Sequence, residues 1–436
     1  MRTYGRNLQL LLTVVVSLGL PATLLAQSAP VAASQNNDLP PPQPQAAAPA
    51  GPVAAPPAPE PFPFDYRASI FSRSDVREGY RGVGLKDSDS VRYRTRFGLI
   101  SKPIDTGAVD VVIKFLPQAS GVWNVGGDTL EDPSLALHEG SVQLRHGLSH
   151  LEVGRFEMVY GEHFVIGNVD WHEAGRAFDG VRLHVENESK IWVDGFFSLV
   201  NEGGGQALGK GDVYFAGVYA GLGEALRTKL ALDVYALGQF RPQQAPATEP
   251  RLARGTLGVR AKDRLGVVDY RVELGAQLGV EGAQDIFAYQ GDLEVGLFLL
   301  DDRLRVAAEG LYASGDDPST VGTNEGWSQL YPTAHKWLGL SDIMGGRSNV
   351  GAGVLHVLGT PHADWKLAWD VHLFARPEAG ALPSGLAGVE SDVGAQYAIG
   401  RGLGLRTLYA TFLPMNDHYG TERLAHFWEL ELRFDH

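Results

Sequence analysis

Arginines at alternate positions carry the chemistry most legible in this chain. Arg92, Arg94 and Arg96 stand two residues apart, opposite Tyr93, Thr95 and Phe97. In a β-strand that spacing places three guanidiniums on one face. A guanidinium binds a carboxylate through paired N–H donors, so the stretch has the chemistry to hold acidic solutes. Arg176 with Arg182, and Arg303 with Arg305, repeat the arrangement, and Arg155 is grouped with them. Acids are interleaved: by parity Asp194, Glu273, Glu309, Glu429 and Glu431 share the inward faces. Asp179 falls on the opposite parity from Arg182, so a bulge or a contact with an interior loop is required to bring it to the same side. Charged side chains converging on a constriction set the selectivity of a channel. The competing reading is that these groups pair across strands and merely fill a polar interior.

Two loops add further candidates. Residues 159–175 hold Tyr160, His163, Asp170, Trp171 and His172, which narrow a pore if the loop folds inward and do nothing to it if the loop stays outside. Residues 315–347 carry Asp316, Asp317 and Asp342, without the regular oxygen-ligand spacing of a calcium loop, so a solvated acidic loop is expected and no metal site. Catalytic signatures are missing. His172-Glu173 and His138-Glu139 lack the second histidine of a zinc-protease helix, and there is no Gly-x-Ser-x-Gly. Gly204 to Lys210 approximates a phosphate-binding loop, but Gly211 stands where Ser or Thr is required. The expectation is a protein that is not an enzyme and takes no cofactor.

The elements that position these residues read as strands. Trp365, Leu367, Trp369, Val371 and Leu373 alternate with Lys366, Asp370 and His372; Val268, Tyr270, Val272 and Leu274 alternate with Asp269, Arg271 and Glu273. Period-two alternation of this kind fits a wall with lipid on one side and water on the other. About eighteen such segments follow one another from residue 65 to residue 434. Connections are tight at Gly147-Leu148, Glu188, Asp301 and Arg401, and long at 118–136, 159–175, 241–252, 315–347 and 414–422. Tight and long connections in alternation predict a single all-β, up-and-down antiparallel transmembrane β-barrel. The last strand sets Trp428, Leu430, Leu432 and Phe434 against Glu429, Glu431 and Arg433. It is similar to the terminal insertion strand of bacterial outer-membrane proteins, with Asp435 and His436 added beyond the aromatic residue.

Composition bounds the rest. The 436 residues carry a net charge of −14 and no cysteine, which argues against nucleic-acid partners and excludes disulfides and thiol chemistry. Arg2 and Arg6, an apolar run from Leu8 to Leu20, and Leu24-Leu25-Ala26 predict a cleaved signal peptide over 1–26. Residues 27–62 are rich in Pro and Ala and predict a disordered periplasmic arm, either an unconstrained tail or a binding site for a periplasmic partner. The barrel is expected over 63–436. These readings place the mature chain in the outer membrane of a Gram-negative bacterium, in contact with lipid.

Two blocks resemble a known family. Gly154–Leu183 (GRFEMVYGEHFVIGNVDWHEAGRAFDGVRL) and Leu311–Ile343 (LYASGDDPSTVGTNEGWSQLYPTAHKWLGLSDI) are similar to the Gly-Arg/Arg-x-Phe-Asp-Gly-x-Arg and Ser-Gly-Asp-Asp/Tyr-Pro-Thr-x-His-Lys blocks of the alginate-export outer-membrane barrels. The resemblance implies a monomeric 18-stranded barrel that passes a polyuronate or a related anionic solute. Alternatives are an uptake porin, general or substrate-specific, and a surface receptor or structural anchor built on the same barrel.

Overall fold

The computed structural model describes residues 63–124, 130–200, 212–223, 230–242, 250–380 and 382–436. The signal segment, the Pro/Ala arm and the Gly204–Lys210 stretch lie outside the described residues.

Strands dominate the chain: β1 (Phe64–Glu78), β2 (Ser88–Ser101), β3 (Ile104–Asp105), β4 (Asp110–Asn124), β5 (Leu130–His146), β6 (Ser149–Phe156), β7 (Phe178–Glu186), β8 (Trp192–Val200), β9 (Val213–Gly221) and β10 (Ala231–Arg241). The second half contains β11 (Leu252–Leu265), β12 (Val268–Glu281), β13 (Gln284–Leu299), β14 (Leu304–Ala313), β15 (Thr323–Asn324), β16 (Val350–His362), β17 (Trp365–Arg376), β18 (Gly385–Gly400), β19 (Leu403–Pro414) and β20 (Ala425–Asp435). The two-residue β3 and β15 are accessory; the other 18 pair antiparallel with their neighbours into a closed barrel. Closure runs along β1 and β20, from Ser69 opposite Asp435 to Glu78 opposite His426. Among the described strands it leaves no barrel edge unpaired inside a bilayer, where each orphaned backbone group costs several kcal/mol. His436 extends the seam by exchanging backbone hydrogen bonds of 2.8 and 3.0 Å with Ala68.

The wall is inside-out relative to a water-soluble protein. On β13 the polar Gln290, Asp292 and Glu294 are 3%, 1% and 7% exposed, whereas the intervening Leu293, Val295 and Leu297 are 51%, 44% and 45% exposed. Such exposure of large aliphatic side chains fits hydrocarbon outside the barrel. Among the described residues no helix is long and apolar enough to cross a membrane, so crossing is by strands.

The expected connections need adjustment at two places. The stretch 118–136 is mostly strand, because β4 runs to Asn124 and β5 starts at Leu130. Register shifts at Leu116/Pro117 and Ser120/Val122 break the alternation there and hide the strand from a period-two reading. At the end of the barrel where the long connections cluster, the β12–β13 connection is only residues 282 and 283.

The interior is more filled than a simple water channel. The β6–β7 loop (157–177) and the β14–β16 loop (314–349) fold into the lumen. They meet in a parallel bridge between Ile166 and Tyr331, supported by Tyr331 N–H donating to Val165 O at 3.1 Å and Gly167 N–H donating to Tyr331 O at 2.8 Å. Phe164, Val165, Ile166, Trp327, Trp337 and Leu338 are buried where the loops meet each other and the wall. Each such side chain contributes about 1.5–3 kcal/mol when fully buried, which fits a docked loop and not a floating one.

Candidate functional site

Three neighbouring strands, β20, β1 and β2, carry a dense cationic face of the lumen. Arg94 and Arg96 of β2 point inward and are 0% and 5% exposed. Arg73 of β1 stands directly opposite Arg92 of β2. Like charges in that register repel, and Asp75 offsets the repulsion by accepting from Arg73 Nη2 at 3.1 Å and from Arg92 Nε at 2.9 Å. Arg433 of β20 completes the group.

The inward β6–β7 loop brings a carboxylate to these arginines. Asp170 Oδ1 accepts from Arg94 Nη2 at 2.9 Å and from Arg96 Nη1 at 3.0 Å, and Oδ2 is bound by Arg433. Arg94 Nη1 also donates to the carbonyls of Asp170 and His172, at 3.0 and 3.1 Å. Arg73 reaches the carbonyl of Trp171. Arg92 Nη1 forks onto both oxygens of Glu173, at 2.8 and 2.9 Å. Burial alone raises the Asp170 carboxyl; the guanidiniums of Arg94, Arg433 and Arg96 override it and hold the group well below the usual carboxylate range.

The backbone is shaped to deliver that carboxylate. Val169, just before Asp170, has φ of +52°, a left-handed conformation that a β-branched residue rarely adopts. Gly175 has φ of +66°, and a Cβ there would lie 2.3 Å from Arg96 Nη2 and 3.0 Å from His138 Cε1. The other loop residues are anchored as well. The Tyr160 hydroxyl donates to Asp194 Oδ2 at 2.6 Å and its ring stacks on Tyr219 at 4.4 Å. His163 Nδ1 lies 3.2 Å from Thr333 Oγ1. Trp171 stacks on His335 at 4.2 Å, and His172 lies 3.5 Å from Glu173.

The remaining sequence candidates divide into two groups. Arg182 and Arg305 point inward but are matched by the wall: Arg182 Nη2 to Glu152 at 2.6 Å, Arg305 Nη2 to Asp269 at 2.8 Å and to Glu294 at 2.5 Å. Glu309 is held by Arg271 at 2.9 Å. Arg176 lies in the loop ahead of β7, donating to Pro332 O at 2.8 Å with its guanidinium over Tyr331.

Three candidates are not in the lumen. Arg155 and Asp179 face outward and pair with each other at 2.6 Å, opposite one another on β6 and β7. Arg155 is one position out of phase with the inward Glu152 and Phe156, and no bulge turns Asp179 inward. Arg303 sits exposed in the β13–β14 turn, where Leu300, Asp301 and Asp302 all have positive φ and end the alternation before it reaches Arg305.

Sequence reasoning did not single out Arg73, Arg433 or the loop partner Glu173. Arg73 and Arg433 stand on strands at opposite ends of the chain and are brought onto one face only through barrel closure.

Beyond the arginine group, a cavity of about 940 Å³ opens at the tight-turn end, lined by Lys262, Arg264 and Arg305 together with Asp263, Asp269 and Asp302. Among the described residues two groups have the ligand atoms for a metal ion: Glu294, Glu309 and His356, and Asp370, His372 and Asp392.

A closed antiparallel wall, apolar outside and charged inside, with loops folded into its lumen, defines an outer-membrane β-barrel of the channel-forming kind. The chain belongs to the alginate-export family, whose model, described as alginate export, matches residues 138–381. Both blocks that resemble the family, Gly154–Leu183 and Leu311–Ile343, lie inside the match. Solved porins share the fold. OccK11 (OpdR) of Pseudomonas aeruginosa superposes with a TM-score of 0.60 at 14% identity, covering 85% of this chain and 95% of that one. OccAB2 of Acinetobacter baumannii gives 0.61 at 9% identity, covering 85% and 98%. Pseudomonas aeruginosa OpdK, solved with vanillate, gives 0.60 at 14% identity, covering 85% and 98%. No curated protein sequence matches the chain significantly.

Proposed function

We propose that this barrel passes carboxylate-bearing solutes of the polyuronate kind, with the β20–β1–β2 arginines as the recognition surface. The observation that carries the reading is the hold of Arg94, Arg96 and Arg433 on Asp170. Most other inward arginines are neutralised by carboxylates fixed in the strands. Arg94 and Arg96 take theirs from a loop, which is a removable partner, and Arg433 shares that loop carboxylate while also pairing with Asp435 of its own strand at 2.7 Å. Asp170 thus occupies the place that a uronate carboxylate takes in transit. Passage then exchanges one carboxylate for another, so the arginines are never left buried and unpaired, a state that costs several kcal/mol.

We place the long-loop end outside the cell and the tight-turn end in the periplasm, as the loop lengths suggest. Protease added to intact cells then cuts the exposed stretch around Val321; cutting confined to the tight turns reverses the orientation.

The test of the cargo is current block in a planar bilayer. An oligouronate is expected to block the channel at concentrations where a neutral oligosaccharide of equal length does not, and Arg94→Ala with Arg96→Ala to relieve the block. Equal block by both sugars rejects the reading. Uptake of small carboxylates is the second reading, favoured by the shared fold with OpdK, which was solved with vanillate. Block by vanillate but not by an oligouronate selects it.

A further inference from the structure

The described lumen holds one charge cluster that no guanidinium or ammonium reaches. Asp370 and His372 lie two apart on β17, facing Asp392 and Glu390 of β18 in direct register. Carboxylates set directly opposite one another, as Asp370 and Asp392 are, destabilise a sheet unless a cation lies between them. All four side chains are buried: Asp370 is 1% exposed, His372 3%, Glu390 0% and Asp392 0%.

Most of the surrounding polar atoms have partners. His356 Nδ1 lies 2.5 Å from Asp370 Oδ1. Leu340 N–H donates to Asp392 Oδ2 at 3.1 Å, and Ser341 donates to both oxygens of Glu390. Two kinds of atom do not: neither ring nitrogen of His372 makes a hydrogen bond, and neither does Asp392 Oδ1. His372 Nε2 nevertheless sits 3.3 Å from Asp392 Oδ2 and 3.8 Å from Asp370 Oδ2. Ligand atoms about 2.1 Å from a tetrahedral ion stand about 3.4 Å from one another, close to the 3.3 Å between His372 and Asp392 and a few tenths of an ångström inside the 3.8 Å to Asp370.

From this geometry we infer that Asp370, His372 and Asp392 form a binding site for a first-row divalent cation of the Zn²⁺ type. One imidazole and two carboxylates suit such an ion better than Ca²⁺ or Mg²⁺, which prefer all-oxygen sets. His356 orients the Asp370 carboxylate from behind by hydrogen bonding, as partners of metal-binding carboxylates do. The other candidate group makes an internal contrast. Between Glu294 and Glu309 the Arg271 guanidinium already supplies the positive charge, at 2.9 Å from each, so that group needs no ion. The second inward loop rests on the site through Leu340 and Ser341. Gly339, at φ of +80°, brings its backbone so close that a Cβ would lie 2.5 Å from the Glu390 carboxyl. The ion therefore lies under the loop and ties its seat together.

The experiment uses the full folded barrel in detergent, stripped with a chelator and titrated with Zn²⁺ and with Co²⁺. Binding of one Co²⁺ per chain is expected, with the visible absorption of a nitrogen- and oxygen-ligated tetrahedral ion. Zn²⁺ is expected to displace it and to raise the thermal unfolding temperature. His372→Ala should abolish the absorption, and His356→Ala should weaken binding about ten- to a hundredfold. His362→Ala, at the exposed end of β16, should change neither. Folding of each variant is read independently from its mobility as an unheated barrel on electrophoresis. Absence of stoichiometric Co²⁺ or Zn²⁺ binding in the parent overturns the inference, as does a folded His372→Ala barrel that binds as tightly as the parent.

Discussion

Arg94 and Asp170 are 76 positions apart in sequence and 2.9 Å apart in the lumen. The pair joins the barrel wall to a loop that fills it. Arg94 is fully buried while the loop is docked, and Asp170 is the carboxylate that matches its charge there. On the proposed reading, a solute carboxylate takes the place of Asp170 there.

Loosening the loop is the first prediction. Asp170→Asn removes the charge shared by Arg94, Arg96 and Arg433, and loss of a buried charge partner costs about 3–5 kcal/mol of docking. Gly175→Ala reaches the same result by another route, since its Cβ collides with Arg96 Nη2. Both variants should conduct more current than the parent in single-channel recordings while keeping the barrel's heat-modifiable mobility. Unchanged conductance in both rejects a gating role for the loop.

Acid should loosen the same loop. Burial, aided by Lys336, lowers His163 from 6.5 to about 4, and burial lowers His172 in the same direction. The docked loop thus binds fewer protons than the released loop between those values. Docking is fully favoured above about pH 6.5 and weakens as pH falls towards about 4. Asp170 and Glu162 stay ionised across that window, because neighbouring cations hold both below the usual carboxylate range against the effect of burial. Open probability should rise from pH 7 to pH 4.5, and replacing His163 and His172 with Gln should flatten the profile. A parent channel that closes on acidification contradicts this.

Arg155 and Asp179 should matter to the barrel and not to its selectivity, since they face outward. Removing one leaves a lone charge on the lipid side, at a cost of up to about 2–4 kcal/mol for a stranded arginine at mid-depth, less for the Asp179 carboxylate that Arg155→Ala leaves, and less near the interface. Arg155→Ala should lower unfolding stability more than Arg155→Leu with Asp179→Leu, and reversal potentials of both should match the parent. A selectivity change in the double variant places the pair in the permeation path.

Much of this was legible in the sequence because a membrane wall imposes a two-residue period with few exceptions. All 18 barrel strands were visible as alternation, even where Pro117 and its bulges shortened two of them. Arg94, Arg96 and Asp170 were visible as candidates. Their convergence was not, since a loop's descent into a lumen leaves no periodic trace. Nor does closure, which sets Arg433 and Arg73 on adjoining strands at opposite ends of the chain. Arg303 was misplaced for a related reason: the alternation continues on paper through a turn that three left-handed residues make in space.

The reversal potential in a salt gradient tests the central claim most directly. The chain's net charge of −14 counts groups outside the pore, which are screened within about 8 Å at physiological salt. A permeating ion meets the lumen arginines at closer range. With the loop released by Asp170→Asn, the account predicts a reversal potential displaced towards that of the anion, and a return towards zero when Arg94→Ala and Arg96→Ala are added. A cation-selective Asp170→Asn channel, or one whose selectivity is indifferent to those two arginines, would contradict it.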